Sequence, residues 1–257
     1  MISQYEIFTQ LHKSDKPLLL GNVWSVQSAK IYEKLKFNAI GTSSAAIAKS
    51  LGYEDGENIS FEEYFNLVKK ISENTNIPLS VDLEAGFGND IETIFSNIKR
   101  LSEIGIAGIN IEDSTVKNSN RSILSADLFT EKLTQICKKL NQEKINIFIN
   151  VRTDTYLLNL ENKLSETKKR IHMYESANIH GIFIPCITNA KEIEELVSTT
   201  KLPINVMCMP NLPDFKILSE IGVKRISMGN FINDFVYSQM ESKMNEIISD
   251  QNFKSLF

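Results

Sequence analysis

Short apolar runs alternate with longer amphipathic stretches along almost the whole chain. Runs rich in Val, Ile, Leu and Phe predict strands at 17–21, 39–43, 79–82, 108–112, 146–151, 181–185, 204–207 and 225–228. Between them, apolar positions at helical spacing predict helices at 26–36, 61–73, 91–103, 126–140, 164–176, 190–198 and 212–220, and a last helix at 231–248. Several strands are preceded by a short Gly-containing link, as in Ile104-Gly105-Ile106-Ala107 and Ile221-Gly222-Val223, the expected ending of a barrel helix. Alternating strand and helix implies a parallel sheet, because a parallel neighbour is reached only by a crossover. Eight such units favour closure into a (β/α)8 TIM barrel, and 257 residues is about the length that fold needs. No composition break or Pro/Gly/Ser linker divides the chain, so residues 1–257 read as one domain. No Gly-x-Gly-x-x-Gly follows the first strand, which weighs against an open dinucleotide-binding sheet.

Composition narrows the function classes. A net charge of -4 with no basic-aromatic patch argues against nucleic acid as a partner. No run approaches the roughly 18 apolar residues of a membrane span, and the polar N-terminal stretch does not read as a secretion signal. Cys137, Cys186 and Cys208 form no Cys-x-x-Cys pattern and cannot all be paired, which points to a reducing cytoplasm.

In a barrel of this kind the active site is built at the C-terminal ends of the strands, so the residues there are the candidates. The third strand runs into Asp82-Leu83-Glu84-Ala85-Gly86-Phe87-Gly88. Strand alternation would point Asp82 and Glu84 the same way, with Val81 and Leu83 on the other side. Two acids crowded there need compensation, and a hard, oxygen-seeking cation such as Mg2+ supplies it. Glu112-Asp113 follow the fourth strand and Arg152 with Asp154 the fifth. Arg152 reads either as a bidentate clamp for a carboxylate or as a salt-bridge partner of the acids, and the two roles are compatible. After the second strand come Thr42-Ser43-Ser44-Ala45, which suit an anion cradle at a helix start or ordinary serine N-capping. Asp55 lies in the long stretch that follows.

In order and spacing these segments resemble the isocitrate lyase / phosphoenolpyruvate mutase superfamily. The matching segments are Gly41-Thr42-Ser43-Ser44, Leu51-Gly52-Tyr53-Glu54-Asp55, Val81–Gly88, Gly108–Asp113 and Asn150-Val151-Arg152-Thr153-Asp154. The resemblance implies a Mg2+-dependent barrel that makes or breaks a C–C or P–C bond of a small 2-oxo acid through a pyruvate enolate. It implies Asp82 as the direct metal ligand, with Asp55, Glu84 and Glu112 holding the metal's waters. Arg152 would lie over the substrate carboxylate and enolate oxygen, and Ser43, Ser44 and the Ala45 backbone would bind the carboxylate. It also implies a homo-oligomer, a dimer or tetramer, in which the last helix is exchanged between neighbours.

One segment departs from the lyase branch, whose loop after the fourth strand carries an acid/base cysteine in Lys-Lys/Arg-Cys-Gly-His. Here the chain reads Ser114-Thr115-Val116-Lys117-Asn118-Ser119-Asn120, with neither cysteine nor histidine. Lys117-Asn118-Ser119 partly resembles the gating loop of the mutases, phosphonopyruvate hydrolases and oxaloacetate decarboxylases, which makes Lys117 and Asn118 candidate catalytic residues. Cys186 and Cys208 are expected as small core hydrophobes, with a substitute acid at the rim as the other reading. His12, His172 and His180 fall away from the expected face. The expected function is a lyase or mutase acting on a small 2-oxo acid or phosphonate. The alternatives are a barrel that binds such a metabolite without turnover, or a methylisocitrate-type lyase with a non-standard acid.

Overall fold

Each apolar run becomes a strand whose parallel neighbour is reached through a helix in the computed structural model, which describes residues 2–257. The strands are β1 (Leu18–Val23), β2 (Ile40–Thr42), β3 (Leu79–Asp82) and β4 (Gly108–Glu112), then a hairpin of β5 (Ser114–Lys117) and β6 (Asn120–Ile123). They continue with β7 (Phe148–Arg152), β8 (Gly181–Phe183), β9 (Ile204–Met207) and β10 (Arg225–Ser227). All but the hairpin pair in parallel into a closed barrel of order β1-β10-β9-β8-β7-β4-β3-β2. The (β/α)8 expectation is met. Around it lie α1 (Gln4–Leu11), α2 (Val26–Lys34), α3 (Ser44–Ser50), α4 (Phe61–Ser72), α5 (Ile91–Glu103) and α6 (Ala126–Gln142). The remaining helices are α7 (Lys163–Glu175), α8 (Ala190–Ser198), α9 (Phe215–Glu220) and α10 (Phe231–Asp250). Among the described residues, no helix is long and apolar enough to cross a membrane.

Boundaries shift for local reasons. The helix expected at 212–220 starts only at Phe215, because Asp214 caps it, accepting a hydrogen bond from the Ile217 N–H at 2.9 Å. The strand expected at 146–151 begins at Phe148 and extends to Arg152. Outside the sequence reading lie α1, α3, the hairpin and a short 3-10 turn at Lys254–Leu256. Each is short: α3 and the hairpin carry no repeated apolar face, and that of α1 is limited to Tyr5, Phe8 and Leu11.

Side-chain alternation sorts the barrel. In β4, Ile109 and Ile111 belong to the apolar layer under the helices, while Asn110 turns to the axis. Asn110 meets Arg225 of β10, a strand that is not its neighbour, so the contact passes through the interior. Apolar side chains usually fill this space. Here amides do: Asn150 Nδ2 donates to Asn110 Oδ1 at 2.9 Å and to Asn205 Oδ1 at 3.2 Å.

The N-terminal mouth is closed by α1. Its one fully buried residue, Phe8, packs with Leu18, Leu20, Ala39, Ala107 and Phe148. Gly108 makes this possible, since a Cβ there would stand 2.9 Å from the Phe8 ring and 3.0 Å from the Phe148 carbonyl oxygen. His12 follows the helix, with Nδ1 2.8 Å from the Phe8 carbonyl oxygen and its ring stacked on Phe148 at 4.2 Å between centroids. Burial, helped by the Arg225 charge, pushes its pKa down from 6.5 to about 3.

A buried neutral histidine costs stability in acid. The unfolded chain takes up this proton near pH 6.5 and the folded chain only near 3, so stability falls as pH drops between them. At pH 5 this group alone removes about 2 kcal/mol. His12→Phe keeps the stacking and is expected to flatten that part of the pH profile. Denaturation curves from pH 7.5 to 5 with the same slope in both proteins would contradict the assignment.

Candidate active site at the C-terminal mouth

The strand ends surround a cavity of about 270 Å³ whose lining includes Thr42, Ser43, Ser44, Ala45, Asp55, Asp82 and Arg152. A second cavity of about 370 Å³ lies beside it and is lined in part by Glu84, Glu112 and Lys117. The expected residues are therefore brought to one mouth but divided between two hollows. Asn118 lines neither.

Asp82 is held from every side. Its backbone N–H donates to Thr42 Oγ1 at 2.8 Å and its carbonyl accepts from the Tyr64 hydroxyl at 2.8 Å. Its carboxylate accepts from Ser44 Oγ at 2.7 Å and from Asn110 Nδ2 at 3.2 Å. Thr42 thus lines the cavity while its hydroxyl fixes the strand end. Ser43 Oγ accepts the Ala46 N–H at 3.3 Å and caps α3, so the capping role expected for this turn is filled by Ser43.

Glu84 corrects the alternation argument. β3 ends at Asp82, and Glu84 adopts a left-handed φ of 49° in the turn that Gly86 (φ 115°) continues. Its side chain consequently lines the neighbouring cavity, where Oε2 accepts the Glu57 N–H at 2.8 Å. Burial, reinforced by Asp55, Glu112, Asp82 and Glu57, drives its pKa up from 4.5 to about 9. Burial likewise raises Asp55. The mouth holds more acids than its own cations can pair.

The cations that pair directly with these acids are two arginines. Arg152 Nε and Nη2 fork onto Asp154 at 2.6 and 3.2 Å, and Nη1 faces Glu112 Oε2 at 3.0 Å. Arg121, which the sequence reading does not single out, reaches Glu112, Asp154 (3.1 Å) and Asp55 (3.3 Å) from the hairpin. Burial opposes the Arg152 charge, but Glu112, Asp154 and Asp82 outweigh it and hold the guanidinium pKa above its ordinary value. Burial raises Glu112 against the pull of both arginines. Arg121 stays hidden in the sequence because it sits in a polar segment without periodicity. Asn110 and Asn150 could be found there, since both alternate with isoleucine or valine on strands whose last residues are Glu112 and Arg152.

The expected gate is a hairpin. Ser114 pairs with Ile123 and Lys117 with Asn120, and the two turn residues Asn118 and Ser119 have φ of 50° and 61°, as two-residue hairpin turns require. Val116 packs so closely on the Asp55-Gly56 segment that a Cβ on Gly56 would lie 2.6 Å from it. Lys117 and Asn118 are both exposed, Lys117 at the strand end and Asn118 at the tip.

Asp113 belongs to the scaffold. It accepts from Arg170 Nη1 (2.9 Å), the Tyr174 hydroxyl (2.8 Å), Thr153 Oγ1 (2.8 Å) and the Asp154 N–H (3.0 Å), which ties β4 to β7 beneath the site. The expectation for the cysteines holds in part. Cys186 packs half-buried against the core, but Cys208 is exposed, because its strand has ended and its segment runs along the surface. His12 and His180 sit at the opposite mouth, His180 Nδ1 accepting the Ile149 N–H at 3.1 Å, and His172 is exposed on α7.

Could the acids hold a metal? Among the described residues no three His, Cys, Asp or Glu side chains converge as a cage. Mg2+ does not need one, since it binds through one or two carboxylates and retains several waters. The donors are all oxygen, and Glu84 is driven to about 9 partly by the acids around it. That donor chemistry fits a hard cation.

The phosphoenolpyruvate phosphomutase profile matches residues 8–248. The chain belongs to this family. It thereby sits in the isocitrate lyase / phosphoenolpyruvate mutase superfamily, as its strand-end segments suggested. It is 32% identical over 223 residues to an uncharacterized protein of Mycobacterium tuberculosis, covering 87% of this chain and 81% of that one. It is 28% identical to oxaloacetate decarboxylase 1 of Pseudomonas fluorescens, covering 84% of this chain and 75% of the relative. Among solved structures, a Burkholderia cenocepacia protein provisionally named a phosphonomutase superposes with a TM-score of 0.86 at 29% identity, covering 96% of this chain and 99% of that one.

Proposed function

We propose that this family member is a Mg2+-dependent lyase or mutase that makes or breaks a C–C or P–C bond of a small 2-oxo acid. The observation that carries this reading is the meeting of Asp82, Asp55 and Arg152 in one small cavity at the barrel mouth. Asp82 would hold the metal directly, with Asp55, Glu84 and Glu112 around it. When bound, Mg2+ stabilises the oxyanion that develops on the 2-oxo acid.

The chain's own residues do the rest. Asp154 and Glu112 lock the Arg152 guanidinium in place and leave N–H groups on Nη1 and Nη2 for a substrate carboxylate or enolate oxygen. A donor held rigid before the charge develops needs no reorganisation. Ser44 orients Asp82, and Ser44 and Ala45 line the wall where the carboxylate would lie. Lys117 and Asn118 act by closing the hairpin over the mouth. The absence of the lyase cysteine favours decarboxylase- or mutase-type chemistry, in which an enolate needs only shelter until a proton arrives. The three free thiols suit a reducing cytoplasm.

Purified protein with Mg2+ is expected to turn over oxaloacetate or phosphonopyruvate and to leave isocitrate and methylisocitrate intact. Asp82→Ala is expected to remove Mg2+ binding in calorimetry, and Arg152→Lys to weaken oxalate by about 1–3 kcal/mol by losing the fork. Unchanged Mg2+ affinity in Asp82→Ala would sink the metal assignment. Robust methylisocitrate cleavage would move the protein to the lyase branch. Tight oxalate binding without turnover of any of the four would leave a metabolite-binding barrel.

The same reading includes self-association. Of the 20 residues of α10 only Asn233 is buried, while Phe235 (59% exposed), Met240 (58%) and Ile248 (69%) face outward. So large an apolar surface on a monomer calls for a partner, and a second copy receiving the exchanged helix would cover it. Light scattering is expected to give a dimer or tetramer that Phe235→Glu/Met240→Glu dissociates. A wild-type monomer would refute it.

A further inference from the structure

Arg225 carries a charge that the mouth chemistry above does not use. It lies at the start of β10, 1% exposed, inside the barrel. Among the described residues its guanidinium makes one hydrogen bond, from Nη2 to Asn110 Oδ1 at 3.3 Å, while Nε and Nη1 have no partner. A buried arginine without a carboxylate is costly, and the Phe8 ring, its centroid 5.8 Å from the guanidinium carbon, offsets only part of that cost. The amide it meets supplies the direction. Asn110 takes the Arg225 N–H on Oδ1 and donates from Nδ2 to Asp82 Oδ1 at 3.2 Å.

We propose that Arg225 is a positioning residue of the active site, a buried cation beneath the mouth that acts on Asp82 through Asn110. Two consequences follow. The amide places the Arg225 charge one hydrogen-bonded residue away from the Asp82 carboxylate. The positive charge also biases the cavity above it, lowering its affinity for a cation and raising its affinity for an anionic substrate. Few charges compete with it from below. Burial keeps His12, the nearest titratable group at the closed mouth, neutral at ordinary pH, and Arg225 itself, although burial lowers it to about 9, remains charged at neutral pH.

The inference rests on the metal-and-anion reading of the mouth, and the test separates the two. Mg2+ alone, then sodium oxalate with saturating Mg2+, are titrated by calorimetry into wild type, Arg225→Met and Arg225→Lys at one pH. Removing the cation is expected to tighten Mg2+ and weaken oxalate, each by at least threefold, and Arg225→Lys to restore both toward wild type. A merely structural arginine gives the opposite pattern: both ligands weaken together, or neither changes, and the proposal falls. Should Arg225→Met not fold, Arg225→Gln replaces it, judged by the same opposed signs against Arg225→Lys. Wild type that binds neither ligand would overturn the reading of the mouth itself, whereas wild type that binds both while the variants change in parallel would overturn only the role of Arg225.

Discussion

Carboxylates taken out of water must share their space with cations, and this constraint organises the whole upper half of the barrel. Glu112 and Asp154 are buried and each meets both Arg121 and Arg152. Asp113, one residue from Glu112, is satisfied separately by Arg170, Tyr174 and Thr153. Asp82 and Glu84 have no such close guanidinium. The amides, hydroxyls and backbone N–H groups around them orient the acids without supplying positive charge, and a site short of positive charge is one prepared to receive a cation.

The barrel is legible in the sequence because its signals are repeated. Eight apolar runs separated by helical periodicity leave few topologies, and a closed parallel sheet satisfies all of them. Strand alternation also exposes Asn110 and Asn150, each inserted between apolar neighbours, and Glu112 and Arg152, which end the same strands. Alternation ends where the strand stops. Asp82 and Glu84 look like one face, but a left-handed residue intervenes and sends Glu84 into the adjoining hollow. Periodicity cannot register that turn.

Tertiary context hides the rest. The hairpin has a polar sequence and reads as a loop, yet antiparallel pairing and the packing of Val116 over Gly56 give it a fixed form. Once the hairpin exists, Arg121 falls between the two cavities, linking Asp55 on one side to Glu112 on the other. Arg225 is hidden in another way. Its strand is three residues long, and only closure of the barrel brings it opposite Asn110. Both arginines depend on contacts between distant segments, which local patterns do not encode.

Layered beneath the mouth, the asparagines of β4, β7 and β9 replace the apolar filling usual in such barrels and form a continuous path of hydrogen bonds under Asp82. The central claim is that this path and the acids above it form one metal-and-anion site facing Arg152. A crystal structure of the protein soaked with Mg2+ and oxalate tests it most directly. The expected map shows the ion bound to Asp82 and the oxalate lying between that ion and the Arg152 guanidinium. An ion held elsewhere, or oxalate bound away from both residues, would contradict it.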